Sequence, residues 1–131
     1  MPSFRLYKKQ RLCSPTAIET LFAPASGARA SLCYPLRAVW RPDPGRRSDA
    51  PMAFVVMVPK RRLRHAVDRV CMRRRIREAF RLGHAACSLP EGTRLDVAFV
   101  YVANSPKPYA QVEHAMQRLL ADISHDQNQA R

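Results

Sequence analysis

Residues 60–80 read KRRLRHAVDRVCMRRRIREAF, and any fold for this chain must satisfy that stretch on two sides at once. With each helical residue turned by about 100°, Ile76, Ala79, Phe80 and Gly83 fall on the face of Met72. That stripe demands burial. Arg73, Arg74, Arg77 and Arg81 share the opposite arc, with Arg69 at its near edge and Arg75 on the far flank. The segment is therefore expected to be one helix, half core-facing and half a wall of guanidinium groups. Between Lys60 and Arg81 stand ten Lys/Arg and two acids, Asp68 and Glu78, a local net of +8 within a total of +13. Like charges four apart on a helix cost about 0.2–0.5 kcal/mol per pair. The line Arg69, Arg73, Arg77 and Arg81 accepts that cost repeatedly, whereas a merely solvated face mixes signs. Guanidinium forks match phosphate oxygens, so the wall points to a polyanion.

The flanking segments supply what such a helix packs on. CSPTAIETLF opens a first short helix, with Ser14 able to cap, Pro15 suited to the first helical position, and Ile18, Leu21 and Phe22 on one face. Residues 30–40 form a strand candidate in which Leu36, Ala38 and Trp40 alternate with Arg37, Val39 and Arg41, and Pro35 suggests an edge or bulge near its start. Residues 41–51, RPDPGRRSDAP, are turn chemistry throughout. MAFVVMV at 52–58 reads as a central strand covered on both faces, and LDVAFVYV at 95–102 as the next strand. Residues 109–124 place Val112, Ala115, Met116, Leu119, Leu120 and Ile123 at helical spacing. The order helix, one or two strands, strand, basic helix, strand, helix predicts an α+β sandwich in a single domain over residues 1–131. Within it, residues 1–11 read as a flexible basic arm, 12–124 as the core, and 125–131 as a disordered polar tail.

Composition narrows the partner. Hydrophobic residues make up 47% of the 131, enough for a real core and too many for a disordered polybasic chain. A surplus of +13 favours nucleic acid over an anionic membrane surface. No apolar run of about 18 residues exists to span a bilayer, and the basic N-terminus lacks the apolar stretch of a secretory signal; a cytoplasmic setting is expected. Cys13, Cys33, Cys71 and Cys87 lie at least 16 residues apart, without metal-ligand spacing, and read as reduced small hydrophobes. Carboxylates are sparse and dispersed, with no pair at two-metal spacing.

The residues also resemble a known family, the protein subunit of bacterial ribonuclease P. Its pattern runs Pro/Ser-Lys-Lys, then Ala-Val-x-Arg-Asn-Arg-x-Lys-Arg-x-x-Arg-Glu. Here Pro59, Lys60 and Arg61 match the first part, Ala66, Val67 and Arg69 the second, and Arg73, Arg74, Arg77 and Glu78 the rest. KKQRLCSPTAIETLF, LDVAFVY and SPKPYAQVEHAMQRLL are similar to the family's first helix, last strand and last helix. The chain departs at Val70 and Cys71, where the family carries Asn and Arg. On the wheel Val70 lies inside the arginine arc and Cys71 outside it.

The resemblance implies the ribosomal protein S5 domain 2-like fold and a division of labour. The catalytic RNA, with its own Mg²⁺, hydrolyses precursor tRNA to the mature 5′ end; the protein binds that RNA and the single-stranded 5′ leader, and lowers the Mg²⁺ requirement. No strongly bound cofactor, membrane contact or obligate protein partner is implied for the chain itself. Lys60, Arg61, Arg62, Arg64, Arg69, Arg73, Arg74, Arg77 and Arg81 would contact RNA. A leader cleft between the sheet and the first helix would be lined by Ile18, Phe22, Leu36, Ala38 and Trp40, with Lys8, Lys9 and Arg11 on leader phosphates. Ile18 is aliphatic where the family often carries an aromatic. Phe22 and Trp40 read equally well as base-stacking rings and as core. Two other classes stay open on the residues alone: a structural rRNA-binding or ribosome-associated protein, and a protein-only nuclease.

Overall fold

The computed structural model describes residues 15–22, 27–42, 52–84, 87, 89, 90 and 92–129. Pro15–Phe22 form α1, Arg29–Cys33 β1, Leu36–Pro42 β2, Met52–Met57 β3, Ala66–Gly83 α2, Leu95–Tyr101 β4 and Tyr109–Gln129 α3. Ser14, the expected cap, and the loop residues 43–51 lie outside the described residues, as do Lys8, Lys9 and Arg11. The strands make one sheet in the order β1-β2-β4-β3. β1 and β2 form an antiparallel hairpin whose turn carries a cis Tyr34–Pro35 bond, so the strand candidate at 30–40 is two strands folded on each other. β2 pairs antiparallel with β4, and β3 parallel with β4 through the α2 crossover.

β3 is thus an edge strand, although its sequence reads as central. Its apolar run reports covered faces, not neighbours: Met52, Ala53 and Phe54 are all buried, with pairing on one side only among the described residues. Side-chain alternation sorts the sheet into two faces. Leu36, Ala38 and Trp40 of β2, Met52 and Phe54 of β3, and Leu95, Val97, Phe99 and Tyr101 of β4 join Met72, Ile76, Ala79 and Phe80 of α2 and the apolar stripe of α3 in the main core. On the other face, Val39, Ala53 and Ala98 meet Leu21 of α1, with Ile18 and Val55 alongside.

α2 starts later than its sequence suggests. Arg62 and Leu63 donate backbone N–H groups to the Pro59 carbonyl, and Leu63 is buried, so residues 60–62 turn instead of joining the helix. His65 is extended at φ −85°, ψ 130°, and Asp68 occupies the first turn, where a negative charge suits the helix dipole. The C-terminal end of α2 runs close to α3: a Cβ on Gly83 would come 3.1 Å from Leu120 Cδ1.

α3 runs to Gln129, so residues 125–129, expected as part of a disordered tail, are helical. Polar ties to the β1–β2 hairpin hold them. Trp40 Nε1 donates to Asp126 Oδ2 at 2.9 Å, Arg29 pairs with Asp126 Oδ1 at 3.0 Å, and Ser31 Oγ donates to Asp122 Oδ2 at 2.6 Å. These partners lie 86 or more residues away in sequence for Trp40 and Ser31, beyond the reach of any local pattern.

Two measurements check this arrangement. Asp126→Ala leaves the Trp40 indole without its acceptor; urea unfolding should show a loss of about 1–3 kcal/mol, with faster amide exchange confined first to residues 124–129. Burial also pushes the Cys87 thiol up to about 11 from 9.0, and the Tyr101 phenol up to about 12 from 10.0. The fold favours both protonated forms, so their stabilisation is complete below pH 9 and is lost between pH 9 and 11 for Cys87 and between 10 and 12 for Tyr101. The urea midpoint should fall across that range, and Cys87→Ala should remove the lower part of the fall.

Candidate RNA-binding surface

The helix that carries most of the arginines is anchored by aromatic packing. Phe80 stacks on Phe54 at 4.1 Å between centroids and meets Phe99 at 5.7 Å, tying α2 to β3 and β4 together. Met72, Ile76, Ala79 and Phe80 are the buried residues of α2, as the wheel requires. Opposite them, Arg74 and Arg77 are exposed and Arg73 is half-buried, none with a polar partner among the described residues.

The rest of the expected wall is committed elsewhere. Arg69 turns back and donates through Nη1 to the carbonyls of Leu63 and Arg64, both at 2.9 Å, closing the loop that precedes α2. Arg81 pairs with Glu78 in a two-point contact, its Nε 3.0 Å from Oε2, and that hydrogen bond holds the Glu78 carboxyl below its ordinary range. Arg75 donates to the Lys107 carbonyl and lies against Met72 Sδ, which ties α2 to the segment before α3. Wheel angles place the Cα–Cβ vectors; they cannot tell which guanidinium groups find protein acceptors. Arg62 reaches Asn104 Oδ1 at 3.2 Å, while Lys60, Arg61 and Arg64 are exposed on the loop before the helix.

The cleft under α1 is built from residues other than those expected. Leu36, Ala38 and Trp40 are at most 4% exposed in the core beneath α2 and α3, so they cannot line a cleft on the α1 face. Strand parity is the reason: their neighbours point the opposite way. Arg37 of β2 lies beside Val100 of β4, which lies beside Met57 of β3. This row floors a hollow of about 580 Å³, also lined by Phe22, Pro59, Arg61 and Arg73. Phe22 is 39% exposed at the end of α1, a ring available to solvent, while Ile18 is half-buried against the small core under α1. Among the described residues the hollow thus has an apolar floor, one aromatic wall, three guanidinium groups and no carboxylate. Arg37, Met57 and Val100 escaped the sequence reading. The available signal was the pair Arg37 and Arg41, which marks the odd positions of β2 as the face turned from the main core. Arg73 belongs to both α2 and the hollow, so the two surfaces meet at one side chain.

Geometry of this kind suits a single-stranded polyanion, and comparison with known proteins identifies the family. The family model described as Ribonuclease P matches residues 6–124. Curated relatives named ribonuclease P protein component, from two strains of Porphyromonas gingivalis, are each 34% identical; they cover 94% and 93% of this chain and 89% and 88% of their own lengths. The chain belongs to the ribonuclease P protein family. It is the protein subunit of an endoribonuclease holoenzyme, with a ribonuclease P RNA as its partner.

Two arginines in one helix should therefore behave differently. Arg69→Ala removes the loop's two carbonyl contacts and should lower stability by about 1–3 kcal/mol. Arg77→Ala should leave the melting temperature unchanged and reduce the slope of log K against log salt by about 0.7, read by filter binding to the RNA.

Proposed function

We propose that the exposed arginines of α2 and of the loop before it bind the ribonuclease P RNA, and that the Phe22–Arg37–Met57–Arg61–Arg73–Val100 hollow takes the 5′ leader of precursor tRNA. The observation that carries this reading is the hollow itself. It presents an exposed ring and an apolar floor to bases, guanidinium groups to phosphates and, among the described residues, no acid to repel them. An unpaired base stacked on a protein ring contributes about 1–3 kcal/mol, so Phe22 is the residue assigned to stacking. The sheet residues that meet the leader are Arg37, Met57 and Val100, in place of Leu36, Ala38 and Trp40.

Hydrolysis is left to the RNA and its Mg²⁺. The described side chains around the hollow are cationic or apolar; none of them can act as a general base at neutral pH, and guanidinium groups repel a divalent cation. The protein's part is to hold the leader and offset phosphate charge, so that less Mg²⁺ is needed. No helix is long and apolar enough to cross a membrane among the described residues, and the reading places the protein in the cytoplasm with its RNA.

Reconstitution tests it. Protein, ribonuclease P RNA and precursor tRNA are mixed at low Mg²⁺, and leader release is timed. Stimulation by the protein is expected, and its absence would sink the reading; cleavage by protein alone would transfer the chemistry to the chain. Arg73→Ala with Arg77→Ala should weaken assembly and flatten the salt dependence while circular dichroism stays native. Phe22→Ala should raise KM for leader-bearing substrate and leave assembly with the RNA intact.

A further inference from the structure

α2 carries a second apolar strip, on the side turned from the core. Ala66, Val67, Val70 and Cys71 stand at helical spacing and, with Arg74 and Arg75, line a shallow hollow of about 450 Å³. Val67 is 78% and Val70 42% exposed. Single exposed apolar side chains are ordinary, but these are contiguous and sit on the helix assigned to RNA. The hollow lies within the size of small-ligand sites, about 300–1,000 Å³, and its Val, Ala and Cys side chains put no strong hydrogen-bond donor into it.

We propose that Val67, Val70 and Cys71 seat one unstacked nucleobase of the ribonuclease P RNA, with Arg74 and Arg77 on the phosphates beside it. The proposal rests on the reading that this face of α2 binds the RNA. Charge decides the occupant. A second copy docked on this strip would join two chains of net charge +13 through an arginine-bearing face. A polyanion meets the same arginines favourably. Within RNA, phosphate is met by the guanidinium groups at the rim of the hollow, whereas the Val67, Val70 and Cys71 side chains between them suit the apolar face of a base. Val67 and Val70 have no group to hydrogen-bond a base edge, Arg75 is held by the Lys107 carbonyl and Arg74 is assigned to phosphate, so the seat accepts any base and reads none.

The test uses the full chain and its transcribed ribonuclease P RNA over a salt series. Val67→Ser with Val70→Ser alters exposed positions, and thermal melting confirms the fold. Affinity should fall about tenfold with an unchanged salt slope, whereas Arg74→Ala with Arg77→Ala should lower the slope by about 1.4. Chemical probing should find a nucleotide protected by the unaltered protein and exposed with the valine variant. An abasic substitution at that nucleotide should weaken binding as much, with no further loss when the two are combined, while exchange of the base should have little effect. Equal affinity and an identical footprint with the valine variant overturn the seat and leave the arginine face standing. An unchanged slope for the arginine variant overturns the reading of the face, and the seat with it. Sedimentation showing an RNA-free dimer that the valine variant dissolves would assign the strip to a second copy instead.

Discussion

The contact of Phe80 with Phe54 and Phe99 governs the rest of the molecule. It fixes the rotation of α2 about its own axis, and that rotation determines which arginines face solvent. Aromatic pairs contribute about 0.5–1.5 kcal/mol beyond the area they bury, and here one ring bridges β3 and β4, the parallel pair that α2 itself connects. His84 also stacks on Phe80, at 5.1 Å, and its Nδ1 lies 3.0 Å from the Phe80 and Arg81 carbonyls, closing the C-terminal turn. A helix with so many like charges would resist folding alone. Its buried stripe, not its propensity, holds it.

The same packing divides the positive charge into two classes. Arg69, Arg75 and Arg62 are tied to protein acceptors and so shape the loop before α2 and its contact with the segment before α3. Arg73, Arg74 and Arg77 have no protein acceptor among the described residues. The Arg81–Glu78 pair, 37% and 44% exposed, stands between these classes, since an exposed ion pair is worth little and can be exchanged for phosphate. Local net charge therefore overstates how many phosphates the helix can meet in this arrangement.

The sheet shows how one residue of parity redirects a functional assignment. Leu36, Ala38 and Trp40 and their neighbours Arg37 and Val39 occupy the same strand, and either set could have faced α1. The large apolar residues went to the larger core, where α2 and α3 cover them. The smaller core under α1 took Val39, Ala53 and Ala98. That core ends short of Phe22, which leaves the ring and the Arg37–Val100–Met57 row open to a ligand.

The order of elements, the apolar stripes of α2 and α3 and the family pattern from Pro59 to Glu78 were all legible in the sequence, because periodicity and local charge are properties of neighbouring residues. So was the oddity of Val70. Tertiary structure alone decided that residues 30–40 contain a hairpin, that β3 is an edge, and that α3 continues to Gln129 on the carboxylate of Asp126. It also decided that Arg69 and Arg81 are engaged and that Arg37 belongs to the hollow. Each of these depends on a partner distant in the chain or on which of two faces a helix covers. Spacing along a sequence carries neither, because a strand pattern is symmetric between its faces until something packs on one of them.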